Sequence, residues 1–267
     1  MYRFVQPGSA LNFGPQSCAL VLMAKAPRVG LVKTRLKPQL TSEQAAALSR
    51  SFIQDMAHNI AGLFEDSRFA GVVAYTPSGE ESAFDGLLPA EFFLIAQRGA
   101  DLGERLRNVA EDLFTAGFSA VCLINSDSPT LPRSLFAEAA AALWSAGNGV
   151  VLGAASDGGY YLIGLKRFEP HLFARIDWST SRVCSQTLER AAEAGLATLR
   201  LPEWYDVDDW DSLKTLYREL SMPDGLRSTG PQGYEAPATA RYLRQLAGEN
   251  PDLTQRLAQV TGELPAP

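Results

Sequence analysis

What this chain has little of narrows its chemistry before any motif is considered. Only two histidines, His58 and His171, occur among 267 residues, and neither has metal-ligand spacing around it. Its three cysteines, Cys18, Cys122 and Cys184, are far apart and form no CxxC pair. A zinc centre is therefore not expected, nor is a disulfide framework. Cys18 and Cys122 fall in apolar runs, the setting of buried free thiols, and a reducing cytoplasm is the expected location. The apolar run at 18–24 stops at Lys25, too short to span a membrane. Residues 1–17 join no basic stretch to an apolar one, so no signal peptide is expected. Basic residues are not in excess either. A formal charge of −6 argues against a general nucleic-acid binder, which needs a basic surface.

What is present is ordinary globular composition, 46% hydrophobic and 20% charged, in a chain long enough for a substantial core. The charge is unevenly placed. Lys25, Arg28, Lys33, Arg35 and Lys37 cluster with no acid among them, whereas Asp206, Asp208, Asp209 and Asp211 crowd a later segment. That polarity fits an anionic ligand at one place and a cation at another.

Short apolar runs at 18–26, 70–76, 92–97, 119–125, 149–155 and 160–165 read as strands, with a further short one at 197–201. Segments 41–64, 101–117, 132–147, 181–194 and 208–220 read as helices. The first opens with a capping sequence and carries Ala45, Leu48, Phe52, Met56 and Ile60 at spacings of three and four. Such alternation predicts an α/β fold: a three-layer, mostly parallel sheet with helices on both faces. The Gly-rich junction between 149–155 and 160–165 is the expected place for an antiparallel excursion. Three regions follow: a flexible arm (1–17), the main domain (18–220) and a C-terminal helical tail (221–267) of one or two helices.

Five stretches carry polar chemistry. "KAPRVGLVKTRL" (25–36) follows the first strand, where α/β sheets bind ligands. Exposed backbone N–H groups shaped by Pro27 and Gly30, with several cations, suit a di- or triphosphate. It matches neither GxxxxGK[ST] nor GxGxxG, and a solvated basic loop is the alternative. "INSDSPTLP" (124–132) ends a buried strand with Asp127; this acid is either a ligand of Mg²⁺ or Mn²⁺ or, with Ser128, an N-cap of the next helix. "ASDGGYYLIGL" (155–165) places Asp157 beside Gly158, Gly159 and Tyr160 in a tight turn that faces the site or merely closes a hairpin. In "WYDVDDWDSL" (204–213) the i, i+2 spacing sends Asp206 and Asp208 to one side, while Asp209 or Asp211 suits a helix cap. "QRGADLGERL" (97–106) reads chiefly as a helix start capped by Asp101, with Gln97, Arg98 and Arg105 in reach of a nucleotide or sugar.

Taken together, these stretches resemble the bacterial glycosyltransferase family of the arsenosugar-biosynthesis type, formerly a domain of unknown function. It belongs to the nucleotide-diphospho-sugar transferase superfamily with the GT-A fold. "IDWSTSRVCSQTLERA" (176–191) also resembles that family, and the likeness covers about residues 18–220. The resemblance implies a nucleotide bound in the amino-terminal half by Ala24, Lys25, Ala26, Pro27, Gly30, Lys33, Arg35, Gln97 and Arg105. It implies a metal at Asp127, with Asp208 as the second acid, because the DxD pattern is reduced here to "SDS". Lys33 and Arg35 would stabilise the leaving diphosphate. Asp157, Gly158, Gly159 and Tyr160 would meet the sugar or acceptor, with Asp157 positioning the acceptor or acting as general base. The expected activity is metal-dependent transfer from a nucleoside-diphosphate sugar to a small-molecule acceptor. The "KTRL" segment is also similar to small guanylyltransferases, which keeps open nucleotidyl transfer from a nucleoside triphosphate to a phosphorylated metabolite. A nucleotide sensor on the same fold is the non-enzymatic alternative.

Overall fold

The expected continuous apolar run becomes the strand β2 (Cys18–Lys25), in the middle of an eight-stranded sheet. The computed structural model describes residues 2–8, 10, 13–145, 147, 149–221 and 231–258, so parts of the expected arm and tail lie outside the described residues. β2 pairs in parallel with β3 (Phe69–Thr76) on one side and β5 (Ala120–Asn125) on the other. β4 (Phe93–Ala96) and a two-residue edge strand, β1 (Arg3–Phe4), extend the sheet beyond β3. On the other side β7 (Tyr160–Leu165) runs antiparallel to both β5 and β6 (Val150–Ala155), and β8 (Thr198–Trp204) pairs in parallel with β6. The order is β1-β4-β3-β2-β5-β7-β6-β8. Among the described strands, β7 alone is reversed, the excursion expected at the "SDGG" junction.

Alternation along β2 explains the layers. Cys18, Leu20, Leu22 and Ala24 enter one core cluster, Ala19 and Val21 another on the opposite face. The first face is covered by α1 (Ser42–Ala61) and α3 (Arg133–Trp144), through Ile53, Met56, Leu135 and Phe136. The second is covered by α2 (Leu102–Thr115) and α4 (Val183–Glu193), through Leu106, Val109, Leu113 and Ala191. A strand buried on both sides needs apolar residues at every position, which is why period-two alternation is missing from these segments.

Two sequence expectations change. Within the stretch expected as a loose arm, Arg3–Phe4 adds the edge strand and Phe13 stacks on Phe118, because apolar residues are interspersed among its glycines and prolines. The strand expected at 197–201 continues to Trp204, where it carries the chain to the acidic segment.

The tail helices α6 (Pro237–Glu249) and α7 (Pro251–Ala258) pack with α5 (Trp210–Ser221) in a third cluster. Leu48 and Phe52 of α1 belong to that cluster, so α1 is apolar on two faces, one for the sheet and one for the tail. Asp55, 1% exposed, joins the two: its carboxylate accepts N–H bonds from Ala238 at 2.9 Å and Thr239 at 2.7 Å, at the start of α6. Burial pushes its carboxyl above the usual range despite these donors. Asp55→Ala would leave the buried Thr239 N–H and the half-buried Ala238 N–H without acceptors, at about 2–3 kcal/mol. The expected outcome is a Tm lower by roughly 5–10 °C and faster proteolysis after residue 221. An unchanged melting curve would show that the carboxylate does not hold the tail.

Candidate active site

Parallel β2, β3, β4 and β5 end on one edge of the sheet, where Lys25, Thr76, Gln97 and Asn125 meet. The chain after β5 and the chain after β8 are tied together there, because Val207 N–H donates to the Asp127 carbonyl at 2.8 Å. Val207 is fully buried, so its neighbours at i−1 and i+1, Asp206 and Asp208, turn the other way. This single backbone contact brings carboxylates eighty residues apart in the chain to one place.

Lys33 crosses the gap from the basic loop. Its Nζ lies 2.6 Å from Asp127 Oδ1, 3.2 Å from Asp208 Oδ1 and 2.6 Å from the Val207 carbonyl. The side chain is only 5% exposed. Its ammonium also sits 5.1 Å from the Phe52 ring centre. Arg35 stands above, Nη1 3.6 Å from Asp208 Oδ2, with 70% of its side chain open to solvent. The loop itself is anchored by Arg28, whose Nε donates to Glu80 at 2.6 Å.

The four late acids divide their tasks. Asp209 caps α5 by accepting from Ser212 N–H at 2.9 Å, and Asp211 pairs with Lys214 at 2.7 Å. Bonds to the Ser212 N–H and hydroxyl hold the Asp209 carboxyl below the ordinary range, against the opposing effect of partial burial. Asp206 and Asp208 are left for the cleft. Desolvation, reinforced by Asp157, Asp208 and Asp127, pushes the Asp206 carboxyl up to about 7. Among the described residues, no three His, Cys, Asp or Glu side chains are gathered as a ready metal cage. Two carboxylates nevertheless converge on one cation, the Lys33 ammonium. Their all-oxygen donor set suits a hard divalent ion.

Two clefts open at this point. The first, about 340 Å³, is lined by Ala24, Lys25, Lys33, Arg35, Gln97 and Arg105 among others. The second, about 420 Å³, is lined by Asp157, Gly159, Tyr160, Trp178 and Asp206 among others. Asp127, Asp208 and Arg35 line both.

Most of the residues expected from sequence gather here, with instructive exceptions. Ala26, Pro27 and Gly30 lie behind the first cleft: Ala26 is buried, donating to the Thr76 carbonyl at 2.8 Å, and Gly30 turns the loop at φ +79. Gly158 does not line the second cleft. A Cβ there would lie 2.2 Å from the Ser181 carbonyl oxygen, so it is the close packing of the turn that requires glycine. Asp157 accepts from Gly159 N–H at 2.8 Å, which fixes its carboxylate at the cleft. Neither Asp127 nor Ser128 caps α3; Pro132 stands at that cap without a side-chain bond. Asp101 does cap α2, accepting from Glu104 N–H at 2.8 Å. Arg98 turns away to Asp112 at 2.8 Å. The Lys33 ammonium meets carboxylates where the sequence suggested phosphate. Asp206 is the addition to the expected site residues, and its i, i+2 spacing with Asp208 across an apolar Val207 is the signal for it in the sequence. Trp178 and the hydroxyls of Ser179, Thr180 and Ser181 were also missed, because their approach to β7 depends on how the loop before α4 folds.

Residues 59–180 match the family described as "Uncharacterized protein conserved in bacteria (DUF2064)". No curated protein matches the chain. Among solved structures, one from Desulfovibrio desulfuricans G20, provisionally named a nucleotide-diphospho-sugar transferase, is 34% identical. It superimposes with a TM-score of 0.75 over 91% of this chain and 98% of its own. CMP:2-keto-3-deoxy-manno-octonic acid synthetase, in a complex with CTP, shares 13% identity with a TM-score of 0.51, over 78% of this chain and 99% of its own, a likeness of fold. With a third of its residues identical over nearly all of both chains, this chain belongs to the nucleotide-diphospho-sugar transferase family represented by the Desulfovibrio protein.

Proposed function

We propose that the protein transfers a sugar from a nucleoside-diphosphate sugar to a small hydroxyl-bearing acceptor. The observation that carries this reading is the sharing of Asp127, Asp208 and Arg35 by the two clefts, so that a diphosphate at their junction would face both. In the first cleft Lys25, Arg35 and Arg105 supply positive charge for the diphosphate, and the exposed Leu31 and Leu102 offer apolar contact to a base. In the second, four acids (Asp127, Asp157, Asp206 and Asp208) line the cleft with one guanidinium, Arg35, and outnumber it even with the Lys33 ammonium behind Asp127 and Asp208. Such a lining repels a phosphorylated acceptor and suits a neutral polyhydroxyl one. The resemblance of the sequence motifs to those of arsenosugar-type glycosyltransferases supports sugar transfer in the same sense.

Asp157, held by Gly159 N–H, orients the acceptor hydroxyl and accepts its proton. Arg35 stabilises charge as the diphosphate leaves. Asp127 and Asp208 would hold Mg²⁺ or Mn²⁺, which when bound supplies Lewis acidity to the leaving group. The protein's own residues do the rest: they orient both substrates and hold the transferred proton.

Incubating the protein with Mn²⁺, a panel of nucleoside-diphosphate sugars and polyol acceptors is expected to release nucleoside diphosphate. Parallel incubations with nucleoside triphosphates and phosphorylated metabolites test the nucleotidyl route. Pyrophosphate release there, with no nucleoside diphosphate from any sugar nucleotide, would overturn the proposal in favour of nucleotidyl transfer.

A further inference from the structure

We propose that Lys33 is a resident cation of the carboxylate pair, mutually exclusive with a divalent ion, which makes metal and nucleotide binding depend on each other. The inference rests on the reading of Asp127 and Asp208 as cation ligands given above. Lys33 Nζ stands 2.6 Å from Asp127 Oδ1 and 3.2 Å from Asp208 Oδ1. A divalent ion between the same two carboxylates needs oxygen contacts of about 2.1 Å. The ammonium and the ion would then collide and repel. One must leave.

The chain is built to bring this ammonium there. Lys33 adopts φ +48, a left-handed backbone uncommon outside glycine, at the head of the short 3₁₀ turn Thr34–Leu36. Its stem is enclosed, its charge lies over the Phe52 ring, and the Val207 carbonyl accepts a further bond at 2.6 Å. A side chain that merely neutralised surface charge would have no reason to be 5% exposed.

Expulsion of the ammonium needs a new anionic partner. Lys33 also lines the first cleft with Lys25 and Arg35, where the proposal above seats a diphosphate. A nucleoside diphosphate therefore offers the displaced ammonium a place, and the ion and nucleotide favour each other. By linkage the enhancement is reciprocal. Lys33 is thus a positioning residue: it keeps two like charges together until the ion replaces it, then follows the nucleotide.

The test measures Mn²⁺ binding rather than turnover. The full chain is titrated with Mn²⁺, free ion being followed by electron paramagnetic resonance, alone and with ADP, CDP, GDP or UDP. Binding of the ion by nucleotide in solution is subtracted. For the natural protein at least one diphosphate is expected to tighten Mn²⁺ binding by tenfold or more. In Lys33→Met, Mn²⁺ alone is expected to bind at least tenfold tighter than in the natural protein, with the nucleotide enhancement reduced below threefold. Lys33→Gln, which keeps a donor for the Val207 carbonyl, gives the same comparison should the methionine variant fail to fold by circular dichroism. Equal Mn²⁺ affinity in variant and natural protein, or full enhancement without the ammonium, would overturn the inference while leaving metal-dependent transfer intact. No Mn²⁺ binding by the natural protein with any of the four diphosphates would overturn both.

Discussion

Asp127→Asn is expected to lower turnover by about 10²–10³, the loss that follows removal of one strong electrostatic contact to a developing charge. The protein should remain folded. Asp127 contributes its side chain to Lys33 at 2.6 Å, but Lys33 keeps Asp208 and the Val207 carbonyl as partners. The structural link between the two loops is the Asp127 backbone carbonyl, which the substitution leaves in place. A loss of melting temperature should accordingly be small, because those remaining partners keep the enclosed ammonium from being left as an uncompensated buried charge. Steady-state rates and thermal melts on the same preparation check the prediction. Turnover within threefold of the natural protein, in a folded variant, would remove Asp127 from the site. The same variant should also lose Mn²⁺-dependent nucleotide binding by calorimetry.

The second large effect lies at Asp206, and its sign is opposite for stability and for activity. The folded-state carboxyl, at about 7, is well above the 3.8 of the free side chain. Between those values the unfolded chain has released a proton that the native protein still holds. Stability therefore falls as pH rises from about 4 and levels off above about 7. Asp206→Asn removes that cost. In chelator-containing buffer at pH 8 the variant is expected to be more stable by about 2–4 kcal/mol, from roughly 1.4 kcal/mol for each tenfold change in proton affinity, reduced for the screening of a half-buried group by solvent. The gain in Tm should be about 5–10 °C, shrinking toward nothing near pH 4. Turnover should fall at the same time, because the proposed cation is drawn by the carboxylates gathered at this junction. Paired melts at pH 4.5 and pH 8 decide it. A stabilisation equal at both values would mean that Asp206 titrates normally in the native protein. A stability gain from removing a charged residue is the signature of a site arranged for ligand rather than for packing.

Much of the architecture was legible in the sequence because the local signals agreed with one another. Continuous apolar runs marked the doubly covered strands, and Thr41 with Gln44 makes the reciprocal cap that their spacing announced. The glycines before Tyr160 marked the reversal of β7. Boundaries moved by a few residues, at β8 because Pro202 within the run hid a strand that continues along the edge of the sheet. The tail was legible as helices but not as a covering for α1. Its docking depends on Leu48, Phe52 and Asp55, whose exposure in an isolated helix says nothing about what lies against them.

For the site, the chain by itself determined the chemical inventory: a basic loop after the first strand, an acid ending the β5 run, and paired acids flanking an apolar residue near the end of the domain. It determined these because each depends on neighbours within a few residues. Only the tertiary structure decided how that inventory is used. Among four clustered aspartates it gave Asp209 to a helix cap, Asp211 to Lys214, and Asp206 with Asp208 to the cleft. It also turned the Lys33 ammonium inward onto Asp127 and Asp208. The reason is distance: electrostatic partnership falls steeply with separation. Sequence order does not reveal which of several like charges the sheet brings within 3 or 4 Å of an opposite one.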